Sequence, residues 1–213
     1  MIEKLFQIIA PDVCVVCTDE GQCLCTSCSN ELLIRKKPAC PLCNKLNESG
    51  KTCNSCYSKS KLRGASISYR YEGVVKELVW AMKYENKRSI ARYFSGKLDK
   101  LDGIVCYVPS DGKTRRMRGY DQAEIIARSY AKSYSLPFSQ SLIRIKHTRQ
   151  VGKGRAERIE NTKDNFVVLG DVLGKEIILV DDVITTGATV SECARVLKRA
   201  GAKSVWAIAI AKK

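Results

Sequence analysis

Acidic side chains are scarce in this chain. Only 22 Asp and Glu stand against 37 Lys and Arg among 213 residues, a formal net charge of +15. Such an imbalance attracts nucleic acid, anionic small molecules and anionic membrane surfaces. Long apolar runs are missing as well. No stretch reaches the roughly 18–20 residues that a membrane-spanning helix needs, which excludes a span. Met1–Ala10 is too short in apolar core for a secretory signal and shows no cleavage pattern, so a cytoplasmic protein is expected, with peripheral association at the inner membrane face left open. Histidine is reduced to His147, which lies in a charged loop and is given no catalytic role.

What is present divides the chain in two. Residues 1–62 hold eight basic and six acidic side chains, so most of the positive charge belongs to residues 63–213. The first zone also holds nine of the eleven cysteines and little apolar periodicity. It cannot bury a core of its own, and segments this short usually need a metal. The expected boundary separates a zinc-ribbon domain, 1–62, from a larger domain, 63–213.

Four C-x-x-C pairs, Cys14/Cys17, Cys25/Cys28, Cys40/Cys43 and Cys53/Cys56, have the spacing of metal knuckles rather than of a disulfide framework in a reducing compartment. Eight thiolates fit one or two closed, structural, tetrahedral Zn²⁺ sites. Sequential pairing leaves short hairpins between knuckles, and cross-braced pairing also satisfies the spacing. Cys23 could compete with Cys25. Cys106 and Cys193 read as small core residues.

From Ala65 onward, strand and helix patterns alternate. Ile67–Tyr71 reads as a strand, 73–84 as an amphipathic helix on Val74, Leu78, Val79 and Met82, and Gly103–Pro109 as a buried strand. Ala123, Ile126, Ala127 and Tyr130 mark a helix, Leu142–Ile145 a short strand, and 146–165 a charged loop. Ile177–Val180, apolar throughout and bounded by charge, reads as a parallel strand buried on both faces. A helix through Val190, Ala194 and Leu197 and a strand from Ser204 to Ala209 complete a βαβ unit. The class is α/β, with a mainly parallel sheet flanked by helices and a small N-terminal zinc-binding domain.

The segment Ile177–Thr189 carries the chemistry. A strand is expected to end at Asp181 and Asp182, and Thr185, Thr186, Gly187, Ala188 and Thr189 then open a helix. Helix N-termini present unpaired N–H groups to phosphate, Gly187 permits close approach, and the threonines add hydroxyl donors. The carboxylates suit sugar hydroxyls or an intervening Mg²⁺. One end for phosphate and one for hydroxyls describes a ribose 5-phosphate.

This string resembles the 5-phosphoribosyl-pyrophosphate (PRPP) binding motif of type I phosphoribosyltransferases. The wider chain resembles the ComF family of bacterial natural transformation through the cysteine knuckles, Tyr71-Glu-Gly, Lys83-Tyr, Arg118-Gly-Tyr-Asp-Gln122 and Gln150 to Asn161. The resemblance implies that Asp181 and Asp182 hold the ribose hydroxyls and, through the ligand, Mg²⁺, and that Thr185 to Thr189 hold the 5-phosphate. Ser110 and neighbouring amides resemble the pyrophosphate-facing loop, with Arg115, Arg116 and Arg118 as clamps. Arg144–Arg158 resembles the flexible catalytic loop, a lid bearing Lys146, Arg149, Arg155 and Arg158 with Gly152 and Gly154 as hinges. Tyr120 and Asp121 stand where the family commonly shows Phe and Asn, and Asp121 adds negative charge beside the expected anion site.

The ComF resemblance further implies handling of single-stranded DNA at the cytoplasmic side, with a ComFA-type helicase and single-strand handling proteins as partners. Aromatics among cations in 63–97 (Tyr69, Tyr71, Trp80, Tyr84, Tyr93) suit stacking, although Trp80 at helical spacing also reads as core. The alternatives are a phosphoribosyltransferase of nucleobase or nucleotide metabolism, with the acceptor unnamed, or a non-catalytic PRPP-sensing adaptor on DNA.

Overall fold

The computed structural model describes residues 12–145 and 165–213. Its helices are α1 (Thr26–Leu32), α2 (Asn54–Ser60), α3 (Gly73–Tyr84), α4 (Ser89–Ser95), α5 (Gly112–Arg118), α6 (Gln122–Tyr134) and α7 (Ala188–Arg199). Its strands are β1 (Gly64–Arg70), β2 (Ile104–Tyr107), β3 (Leu142–Arg144), β4 (Phe166–Val168), β5 (Glu176–Ile184) and β6 (Ser204–Lys212). Strands β1-β6-β5-β2 form one parallel sheet in that order, and β3 and β4 make a small antiparallel ribbon.

Side-chain alternation along β5 and β6 builds two cores. Ile178, Val180, Ile208 and Ile210 face Leu78, Met82, Phe94, Ile126 and Tyr130 from α3, α4 and α6. Ile177, Leu179, Val205, Ala207 and Ala209 face Val190, Cys193, Ala194 and Leu197 of α7. The small alanines of β6 let α7 sit close. Cys106 and Cys193 are buried here as core residues, and burial pushes the Cys106 thiol up to about 12.

The expected strand end needs correction. β5 does not stop at the carboxylates but runs through Asp181, Asp182 and Val183 to Ile184, because β6 continues beside it with Asp181 opposite Ala209 and Ile184 opposite Lys212. β2 stops at Tyr107, opposite Val180. Beyond that point β5 has a strand neighbour on one side only. The free side lies at the carboxyl ends of the strands, the crevice position at which parallel sheets receive ligands. Helices α4 and α5 also lie in stretches that the sequence reading left without an element.

The cysteine-rich segment is laid along β1. Its backbone bridges it at Arg35–Tyr69 and Lys51–Gly64, with the Lys36 amide donating to Ser68 O at 2.9 Å. Cys14, Cys23, Leu24 and Cys28 belong to the same apolar cluster as Phe94, so this segment borrows the sheet's core.

Candidate phosphoribosyl site

Asp181 and Asp182 are neighbours on β5, and their carboxyl groups interact directly. Asp182 meets Lys83 of α3 at 2.7 Å, both side chains being largely buried. Each carboxylate also accepts the next backbone amide: Asp182 N donates to Asp181 Oδ1 at 2.9 Å and Val183 N to Asp182 Oδ1 at 2.7 Å. Burial, with the Asp182 charge next in line, pushes the Asp181 carboxyl well above the usual carboxylate range, and the Lys83 ammonium acts against that rise. Lys83 figured in the sequence only as part of the Lys83-Tyr resemblance, and its role was not assigned.

The turn after Ile184 exposes Thr185, Thr186, Ala188 and Thr189 and buries Gly187. Gly187 caps α7 in the left-handed region, at φ +77°, where a side chain is strained. An added Cβ would also run into the end of the Leu42 side chain, which would have to shift. The Thr186 hydroxyl takes the Ala188 amide at 3.3 Å. Four exposed residues therefore surround the N-terminus of a twelve-residue helix at the edge of the crevice.

Across the crevice, Val108 N bonds Val180 O and the chain turns into α5. Asp111 caps α5, and the Thr114 hydroxyl hydrogen bond holds its carboxyl down to about 2. Asp121, 4% exposed, caps α6 through Ala123 N and accepts the Ser110 amide at 2.7 Å. Its carboxyl is raised by burial, against the hydrogen bonds it receives. The charge that departs from the family pattern thus fastens the Ser110 loop to α6, and the Ser110 amide is committed. The other departure has a similar account, since the Tyr120 hydroxyl donates to Met82 O at the end of α3. Arg115 and Arg116 are exposed on α5. Arg118 donates to Gln122 Oε1 at 2.8 Å and lies over the Tyr84 ring, while its Nε is buried with no partner among the described residues.

Residues 118–213 match the model of the phosphoribosyl transferase domain. Over most of its length the chain is 26% identical to competence protein ComFC of Streptococcus pneumoniae (88% of this chain, 86% of the relative). It is 27% identical to competence protein F of Haemophilus influenzae (87% and 90%). The chain is ComFC-like, with a phosphoribosyltransferase-type domain. Among solved structures, the glutamine PRPP amidotransferase of B. subtilis aligns with 55% of this chain and 25% of its own at 24% identity, with a TM-score of 0.42.

The expected lid residues Lys146, Arg149, Arg155 and Arg158, with Gly152 and Gly154, lie outside the described residues. The described fold brackets that segment closely. Ile145 N donates to Asn165 O at 2.9 Å, and Glu192 of α7 accepts Asn165 N and Nδ2 at 2.5 and 2.9 Å.

The knuckles pair sequentially: Cys14, Cys17, Cys25 and Cys28 form one group, and Cys40, Cys43, Cys53 and Cys56 the other, with the sulfurs of each within 4.8 Å of one another. Cys17–Cys25 and Cys43–Cys53 sulfurs are 3.6 and 3.7 Å apart. A tetrahedron with Zn–S bonds of about 2.3 Å has edges of about 3.8 Å, so both groups fit Zn²⁺. They are built alike. Each first knuckle turns through a left-handed residue (Thr18, Asn44), and each second knuckle opens a short helix, α1 or α2. Cys23 is buried beside the first group and belongs to neither.

The aromatics separate by exposure. Tyr69 is buried, Tyr93 packs on the core and donates to Ser29, and Tyr71 packs against the core. Trp80 and Tyr84 are 52% and 60% exposed with ring centroids 5.5 Å apart. The core reading of Trp80 is therefore corrected: it stands on the outer side of α3, one turn before Tyr84.

Gly187→Ala should destabilise the chain by about 1–2 kcal/mol through the left-handed backbone alone, with the Leu42 overlap adding to it. Urea unfolding monitored by circular dichroism measures the difference, and an unchanged midpoint would refute the packing described here.

Proposed function

We propose that the crevice at the carboxyl end of β5 binds PRPP with Mg²⁺, and that the protein uses this site while handling single-stranded DNA in natural transformation. The carrying observation is one of position. A carboxylate pair on an extended strand is separated by four residues from Gly187, the cap of a helix start ringed by Thr185, Thr186 and Thr189. The amides at the start of α7 and the threonine hydroxyls bind the 5-phosphate. Asp181 and Asp182 receive the ribose hydroxyls and magnesium, which would neutralise charge on the pyrophosphate as it departs. Arg115 and Arg116, exposed on α5, and Arg118 at its end meet the remaining charge with forks suited to phosphate oxygens. Lys83 neutralises Asp182 until ligand arrives. The lid role of Arg144–Arg158 rests on the family resemblance.

Asp182→Asn should weaken PRPP–magnesium binding about tenfold or more in titration calorimetry, and unchanged affinity removes the assignment. Affinity should also depend on pH. A carboxyl with a raised pKa stays neutral to higher pH, and the neutral form is the poorer magnesium ligand. PRPP–magnesium binding should therefore strengthen as pH rises above the ordinary carboxylate range, and Asp181→Asn should flatten that dependence. A flat profile in the parent protein would contradict the proposed role of Asp181.

The DNA part of this reading is favoured by Trp80 and Tyr84, two exposed rings in tilted contact, with the Arg118 guanidinium 5.3 Å from the Tyr84 centroid. Bases stack on such surfaces while cations meet the phosphates. Replacing both rings by alanine should cost about 1–3 kcal/mol per base stacked, with little change in the salt slope of binding. Oligonucleotide titrations at several salt concentrations measure both quantities. Equal affinity in the variant would move the DNA surface elsewhere.

A further inference from the structure

The two cysteine groups are alike in build but differ in what they touch. The first is fastened to α4, where Ser89 donates to Asp12 at 2.7 Å and Tyr93 to Ser29 at 2.7 Å. The second lies against the phosphate loop. Leu42, between Cys40 and Cys43, fills the space over Gly187 that a side chain would need, and Pro41 O is 3.4 Å from the same point. Helix α2, which opens at Cys53 and carries Cys56, packs on α7. A single cation joins knuckle to loop: Lys212 Nζ, on a residue only 5% exposed, donates to Pro41 O at 2.6 Å and to Thr185 O at 3.1 Å. Lys212 is also the last residue of β6, opposite Ile184, the residue before the loop.

We propose that the Cys40–Cys43 knuckle is the back wall of the phosphate loop, so that metal in the second cysteine group and phosphorylated ribose in the crevice bind cooperatively. The inference rests on the reading of Thr185–Thr189 as the phosphate site. Its physical basis is local. The segment around Cys40–Cys56 has little core of its own, so metal binding is its folding energy. With the knuckle ordered, Pro41 O satisfies a buried ammonium and Leu42 fixes the apex of the loop. The α7 amides are then already arranged when the phosphate arrives, which spares the ligand that ordering cost. With the knuckle loosened, Lys212 loses an acceptor inside the protein and the loop loses its support. Linkage makes the effect reciprocal: whatever factor metal adds to PRPP affinity, PRPP adds to metal affinity at that group. The first group, on the far attachment at α4, stays uncoupled.

The test loads the full chain with cadmium and follows the metal by NMR, one signal per cysteine group, assigned by the shift that Leu42→Ala causes at the second. Calorimetry in parallel measures PRPP binding with Mg²⁺. The expected result is that PRPP slows chelator removal of the second signal about tenfold and leaves the first unchanged. Lys212→Met should keep both cadmium signals, showing both groups formed, yet lose most of this protection and bind PRPP more weakly. If PRPP binds but protects neither signal or both equally, or if Lys212→Met binds and protects like the parent, the coupling is overturned while the phosphate site stands. If calorimetry shows no PRPP binding in the parent protein, both the site and the coupling fall.

Discussion

The parallel ladder between β5 and β6 is the constraint on which the rest of this molecule depends. Both strands run nine residues, and their pairing continues to Ile184–Lys212 after β2 has ended at Tyr107. That overhang lifts Asp181 and Asp182 clear of one neighbour while keeping their backbone fixed by the other. It also sets where the turn to α7 begins. Without the last pairs of the ladder, the carboxylates and the threonine loop would have no fixed separation. Burying two adjacent carboxylates has a cost, visible in the upward shift of Asp181 and in the Lys83 ion pair that offsets the charge of Asp182.

The cysteine-rich segment solves a different problem with related means. Too short to bury a core, it gathers its cysteines into two groups of four, each fit for a metal, and lies along the edge of β1. The consequence is that its parts serve as packing material for the larger fold. Leu24 and Cys23 complete the cluster around Phe94, and Leu42 covers Gly187. Zone and fold are separate in composition but share their interior.

Much of this was legible in residue order because it depends on short-range pattern. The helix over 73–84 follows from apolar spacing, and the burial of Ile177–Val180 follows from an uninterrupted apolar run. What was not legible depends on contacts across long separations. The apolar run ends at Val180, which put the expected strand end at the two carboxylates; only the partner strand shows that the extended backbone runs on to Ile184. Trp80 sits at a spacing compatible with core, and its exposure is decided by which side of α3 meets the sheet. Asp121 looked like an unwelcome charge beside an anion site; its use as a cap that ties Ser110 requires the fold. Lys83 and Lys212 drew no assignment, although a lysine directly closing the apolar run Val205–Ala211 was a visible signal. The spacing of the knuckles allowed two pairings, and the structure brings the sulfurs together sequentially.

The central claim is that the start of α7 and the loop before it receive a phosphate of PRPP. Hydrogen exchange of backbone amides, measured with and without PRPP and magnesium, addresses it residue by residue. The account predicts that exchange slows at Thr186 to Thr189 and leaves the turn at the opposite, amino-terminal end of β5 unchanged. Saturating ligand with unaltered exchange across Thr186 to Thr189 would contradict it.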